Sequence, residues 1–171
     1  MQELDLDLLV EHVVTRHHVY VRETIPDLTA WLETLVDHHG ARQPALADVQ
    51  KTFLALANDL LAHMAKEENV LFPFVRALAV AARKGEGLPP GPFGTILHPI
   101  RVMNRDHRVA GDLLERLHRL TDGYVPPADA CETYRLCFTE LARFDADLRR
   151  HIHLEDRVLF PRALTLEAAL T

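Results

Sequence analysis

The apolar positions of this chain fall in steps of three or four residues almost throughout. One set runs Val10, Val14, His18, Val21, Ile25, Leu28, Leu32, Leu35, and a second runs Leu56, Leu60, His63, Glu67, Leu71, Phe74. A third is Ile100, Met103, His107, Ala110, Leu114, Leu117, and a fourth is Leu141, Phe144, Leu148, His151, Glu155, Val158. Such steps line one face of a helix, so each set predicts one amphipathic helix. Turn-forming text separates them: Gly40 to Pro44, GEGLPPGPFG at 85–94 and TDGYVPP at 121–127. The expected helices cover roughly 4–38, 45–83, 96–120 and 127–166, with a kink at Pro26, and no run reads as a strand. Four amphipathic helices with short connections predict an all-α fold, an antiparallel up-down four-helix bundle.

Composition narrows the function without naming it. At 171 residues the chain suits a single domain, 1–171, with a sizeable core. A net charge of −6 with no Lys/Arg cluster argues against nucleic acid or an anionic membrane as partner. The acidic start MQELDLDLLVEH lacks the plan of a signal peptide, and no stretch is apolar enough to span a membrane, so a cytoplasmic protein is expected. Cys131 and Cys137 are too few for a disulfide framework. The unusual count is eleven histidines.

Six polar residues change the picture, because His18, His63, Glu67, His107, His151 and Glu155 occupy stripe positions where Leu or Val belongs. A buried carboxylate is costly unless paired, hydrogen-bonded or bound to a metal. A lone histidine on an apolar face is ordinarily a core residue bonded to backbone, but here the pattern is written twice. HMAKEENVLFP at His63–Pro73 returns as HIHLEDRVLFP at His151–Pro161, and TRHH at 15–18 lies over NRDH at 104–107. The chain therefore reads as two helical hairpins, each giving one histidine from its first helix and His-x-x-x-Glu from its second. Positions i and i+4 share a helix face about 6 Å apart at Cβ, so the hairpins would converge four imidazoles and two carboxylates. Two six-coordinate metals offer about twelve positions; two bridging glutamates, four histidines and an oxo or hydroxo bridge fill all but about two. The mixed N/O set favours iron or manganese over structural zinc, and two non-haem iron ions are the expectation.

Neighbouring residues are set aside. His17 lies about 100° around a regular helix from His18, and His153 points away from His151. Glu68 and Asp156 turn from the stripe and are expected to be solvated. His39 lies about 31 Å beyond His18 along a straight helix and has no counterpart in the second half. His12, His38, His98 and His118 are expected at the surface or rim.

The segments RHHVYVRETIPDL, HMAKEENVLFP, FGTILHPIRVMNRDHRVAG, DACETYR and HIHLEDRVLFPRAL together resemble the hemerythrin-like, HHE cation-binding family, and within it the di-iron proteins of iron–sulfur cluster repair. The resemblance implies a hemerythrin-like bundle with iron ligands at the same six positions. It further implies a stress-response role in which the centre meets oxygen, nitric oxide or peroxide and supports apo or damaged iron–sulfur proteins. Repair proteins usually carry an N-terminal domain with a cysteine pair, which has no match in this sequence. Cys131 and Cys137, on different sides of a helix, do not replace it. A stand-alone di-iron module is therefore the expectation. Two other readings use the same centre: an O2 or NO binder or sensor, and an oxidase- or peroxidase-like enzyme.

Overall fold

The structure, a computed structural model, describes residues 5–171. Leu4, the expected start of the first helix, lies outside them. Among the described residues there are helices and turns and no strand. The first helical stretch comprises α1 (Leu6–His12), a π-helical segment π1 (Val13–His18) and α2 (Val19–His39), and α2 runs through Pro26 without a break. The second comprises α3 (Ala45–Lys66), π2 (Glu67–Leu71) and α4 (Phe72–Lys84). The third is α5 (Leu97–Leu120), and the fourth comprises α6 (Glu132–Leu154), π3 (Glu155–Leu159) and α7 (Phe160–Leu170).

The three wide turns were not expected. At their ends the Val19, Phe72 and Phe160 N–H groups donate to the carbonyls of Val14, Glu67 and Glu155, five residues back instead of four. For π2 and π3 the next residue supplies a cause. Pro73 and Pro161, at the starts of α4 and α7, have no N–H to give. A regular helix would leave the carbonyl four residues earlier without its donor, and a wider turn ending at the proline absorbs that loss. Each π segment carries one of the six singled-out residues.

The second stretch stops at Gly85, whose φ of 68° is the left-handed conformation that a glycine adopts without strain. There the Glu86 N–H reaches the Ala81 carbonyl and the Gly85 N–H that of Ala82, closing the last turn. The fourth stretch starts later than expected, at Glu132 instead of 127. The Arg135 guanidinium takes the carbonyls of Ala128 and Ala130, so 127–131 stays outside the helix.

The chain forms two compact units. Among the described residues, one contains 5–19, 62–107 and 150–171. Its apolar core gathers Val10 and Val13, Leu71, Phe72 and Val75, Ile100 and Met103, and Leu159 and Phe160. Glu167 is buried beside them, accepting hydrogen bonds from the Ile96 N–H and the Thr95 hydroxyl at 2.7 Å each and so fixing the start of α5. The other unit contains residues 20–61 and 108–149. Leu28, Leu32, Leu35, Phe53, Leu56 and Phe144 are buried there, with Phe53 edge-on to Phe144 at 5.6 Å. Tyr124 stands at φ 64° and donates its hydroxyl to Asp145 at 2.6 Å, pinning the turn that precedes α6. Among the described residues no helix is long and apolar enough to cross a membrane.

The two thiols differ in setting. Cys131 is exposed, whereas burial pushes the Cys137 thiol up to about 12. Because the thiolate is the reactive form, iodoacetamide at mildly alkaline pH should label one thiol in the folded protein and two after denaturation. Mass spectrometry reads the count, and labelling of both in the folded chain would contradict the burial of Cys137.

Candidate metal centre

All six stripe residues are buried in the first unit. His18 closes π1, His63 lies in the last turn of α3, Glu67 opens π2, His107 is on α5, His151 is near the end of α6 and Glu155 opens π3. They form two groups of four whose donor atoms lie within 4.8 Å of one another: His18, Glu67, His151, Glu155 and His63, Glu67, His107, Glu155. Both glutamates belong to both groups.

The sharing is resolved atom by atom. One Glu67 oxygen faces His18 Nε2 and the other faces His63 Nε2, each at 3.3 Å. The Glu155 oxygens divide in the same way, one 3.1 Å from His107 Nε2 and the other 3.0 Å from His151 Nε2. His63 Nε2 and His107 Nε2 stand 3.1 Å apart. Four imidazoles thus turn their Nε2 atoms toward one small volume, and each carboxylate spans both groups.

The outward Nδ1 atoms are held by carboxylates. His18 Nδ1 pairs with Glu68 at 2.6 Å, His107 Nδ1 with Asp156 at 2.8 Å and His63 Nδ1 with Asp106 at 3.5 Å. Lys66 binds the same Asp106 carboxyl at 2.5 Å. Burial raises the Asp106 pKa, but Lys66 and His63 outweigh it and leave the carboxyl below its ordinary value. Glu68 and Asp156 are therefore not simply solvated, as the helix wheel suggested; each orients the ring of a histidine from another helical stretch. An acidic residue directly after each repeated glutamate, and Asp106 directly before His107, were the available signals. An acceptor on Nδ1 fixes the tautomer that leaves Nε2 free to bind a metal.

The repeated Val-Leu-Phe-Pro has a structural part to play. Phe72 stacks on His18 at 5.8 Å, and Phe160 stacks on His107 at 5.9 Å. In each case the phenylalanine packs a face of the histidine given by the first helix of a hairpin, the same one that the neighbouring acid holds at Nδ1.

Electrostatics shows what these buried groups need. Burial opposes charge on His107, yet the carboxylates of Asp156 and Glu155 beside it prevail and push it up to about 10. His151 is also raised, against its burial, by Glu155. Glu155 is held well below the carboxylate range because His151 and His107 overcome its desolvation. Even so, among the described residues His18 Nε2, both oxygens of Glu67, one oxygen of Glu155 and His151 Nδ1 have no hydrogen-bond partner. Buried polar atoms rarely go unpaired, and four of these five point into the shared volume. Shared carboxylates with imidazole nitrogens are donors that iron accepts, whereas a closed zinc site takes four ligands around one ion. The residues present fit a pair of iron ions.

His17 belongs to neither group of four, yet it is buried. It is 3 % exposed, stacked parallel on His151 at 5.3 Å and edge-on to His12 at 5.7 Å. The 100° spacing of a regular helix does not apply inside π1, and the rings of His17 and His18 are both buried. His39 lies in the other unit, with Nε2 3.3 Å from Cys131 Sγ and its ring edge-on to Tyr134. It belongs to neither group of four. His12, His38, His98, His118 and His153 are exposed.

Residues 9–163 match the family described as the hemerythrin HHE cation binding domain. The chain belongs to that family, and its fold is the helical bundle of the hemerythrin class. It is 36% identical over 163 residues to the iron-sulfur cluster repair protein YtfE of Musicola paradisiaca, covering 95% of this chain and 68% of that protein. It is 33% identical over 156 residues to the probable iron-sulfur cluster repair protein of Haemophilus influenzae, covering 91% and 64%. With the YtfE of Enterobacter sp. it shares 34% over 159 residues, covering 93% and 66%. The chain thus spans about two thirds of the length of these relatives.

Proposed function

We propose that His18, His63, Glu67, His107, His151 and Glu155 hold a non-haem di-iron centre. On this reading residues 1–171 act as one di-iron domain, cytoplasmic and stress-responsive, supporting repair of iron–sulfur clusters damaged by nitric oxide or oxidants. The observation that carries the centre is the sharing of both glutamates between two groups of four donors. The repair role is supported by likeness to proteins named for it. When bound, the irons would supply redox change and positions open to O2, NO or peroxide. The chain's own part is to bind and to orient. Glu67 and Glu155, common to both groups of donors, would hold both ions, while Glu68, Asp106 and Asp156 set the imidazoles and Phe72 and Phe160 cover two of the rings. Apo or damaged iron–sulfur proteins are the proposed partners.

The test loads the protein anaerobically with ferrous iron, counts it, and mixes it with an apo iron–sulfur protein. Uptake of about two irons per chain, followed by cluster formation on the acceptor, is expected. A chain holding one zinc in preference would overturn the centre. A long-lived, reversible spectral change with oxygen and no iron transfer would overturn repair in favour of a carrier or sensor.

A further inference from the structure

The two halves of the site are not equally supported. The sequence repeat pairs TRHH at 15–18 with NRDH at 104–107, which sets His17 against Asp106. The same repeat pairs His151 with His63. Asp106 is the carboxylate facing His63 Nδ1, so the position answering to it, beside His151, is held by an imidazole. The consequence is visible in the packing of His151. His151 is 1 % exposed, its ring lies parallel to that of His17, and its Nδ1 has no hydrogen-bond partner among the described residues. Of the four imidazoles it alone has no carboxylate on Nδ1. Parallel stacking packs a ring but gives its N–H no acceptor, so neither the tautomer nor the rotation of His151 is fixed from behind.

We infer that His17, standing where the repeat would place a carboxylate, makes the two metal positions unequal, and that the ion at His18, Glu67, His151 and Glu155 leaves first. This rests on the di-iron reading above. The glutamates are common to both positions and cannot distinguish them, whereas the histidine pairs can. His63 and His107 both have carboxylates behind them; of His18 and His151 only the first does. Loss of such an outer partner commonly costs about 10–100-fold in metal affinity. His17 acts through His151 and is a positioning residue, not a ligand.

The test mixes the fully loaded ferrous protein with an excess of a ferrous chelator and follows iron release. The expected result is two phases of equal size, with Mössbauer spectra of half-depleted 57Fe protein showing one iron signal lost before the other. His17→Asp, which restores the carboxylate, should slow the fast phase about 10-fold and leave the slow phase unchanged. Asp106→Asn should speed the slow phase and leave the fast one. Release in one phase, or equal loss of both Mössbauer signals, would overturn the inference. An unchanged fast phase in folded, fully loaded His17→Asp would do the same. If that variant fails to fold, the wild-type phases and Asp106→Asn still decide the matter. Wild-type protein that never takes up two irons would instead defeat the di-iron reading itself.

Discussion

Glu155→Ala is expected to reduce bound iron from about two ions per chain to fewer than one, with the helical circular dichroism nearly unchanged. Each Glu155 oxygen stands at one of the two histidine pairs, 3.1 Å from His107 and 3.0 Å from His151, so its removal strips a donor from both positions at once. It also removes the counter-charge that raises both imidazoles above their ordinary range. Glu67→Ala should behave alike, since its oxygens are divided in the same manner between His18 and His63. Asp156→Ala makes the informative contrast. Asp156 holds His107 at Nδ1 and belongs to neither group of donors, so its loss should weaken affinity about 10–100-fold while saturating iron still fills the site. Iron analysis after desalting, beside a binding titration, separates the two behaviours. Full iron retention in both glutamate variants would show that other residues hold the metal.

The opposite dissociation is expected at Phe53. It is fully buried in the other unit and packs edge-on against Phe144. Truncating a buried phenylalanine to alanine removes its transfer free energy and leaves a cavity, costing about 3–5 kcal/mol. For a chain of this length each kcal/mol moves Tm by about 2–4 °C, so Phe53→Ala should melt roughly 6–20 °C lower. Iron stoichiometry well below the melting point should be unchanged. Calorimetry with iron analysis tests both halves of the expectation. A drop of less than about 1 kcal/mol would mean that the surrounding side chains collapse into the space. Iron loss together with helicity in Glu155→Ala would show the converse, that the metal and not the apolar core holds the fold.

The helices were legible because burial imposes a period on the sequence, and steps of three and four survive in every stripe. The six donors stood out for the same reason, as polar residues where that period demands apolar ones. The π segments left no such trace. Glu67 to Leu71 and Glu155 to Leu159 are steps of four in either kind of turn, so one extra residue passes unseen. Pro73 and Pro161 do bear on the matter, since their missing N–H groups favour a widened turn. The headings of Glu68 and Asp156 depend on the wide turns they occupy, so regular helix geometry does not bring them to His18 and His107. The burial of His17 beside His18 is hidden by the same assumption of regular geometry. The Nδ1 acceptors belong to other helical stretches than their histidines, and a single helix wheel cannot bring two stretches together.

Inserting one residue into a helix rotates everything after it by about 100° about the axis. In π2 and π3 that residue falls between the glutamate and the Phe-Pro pair, so a single continuous rod carries two angular phases. Up to the turn the stripes end in His63 and Glu67 and in His151 and Glu155, which can bind a cation; beyond it, Phe72 and Val75 and Phe160 and Ala163 fill a core. A helix of one phase must serve both demands with one stripe, and any residue suiting one compromises the other. Resetting the phase lets Phe72 and Phe160 face His18 and His107 while Glu67 and Glu155 keep their own heading. Deleting one residue from either turn would therefore not shorten the site but misalign its two faces.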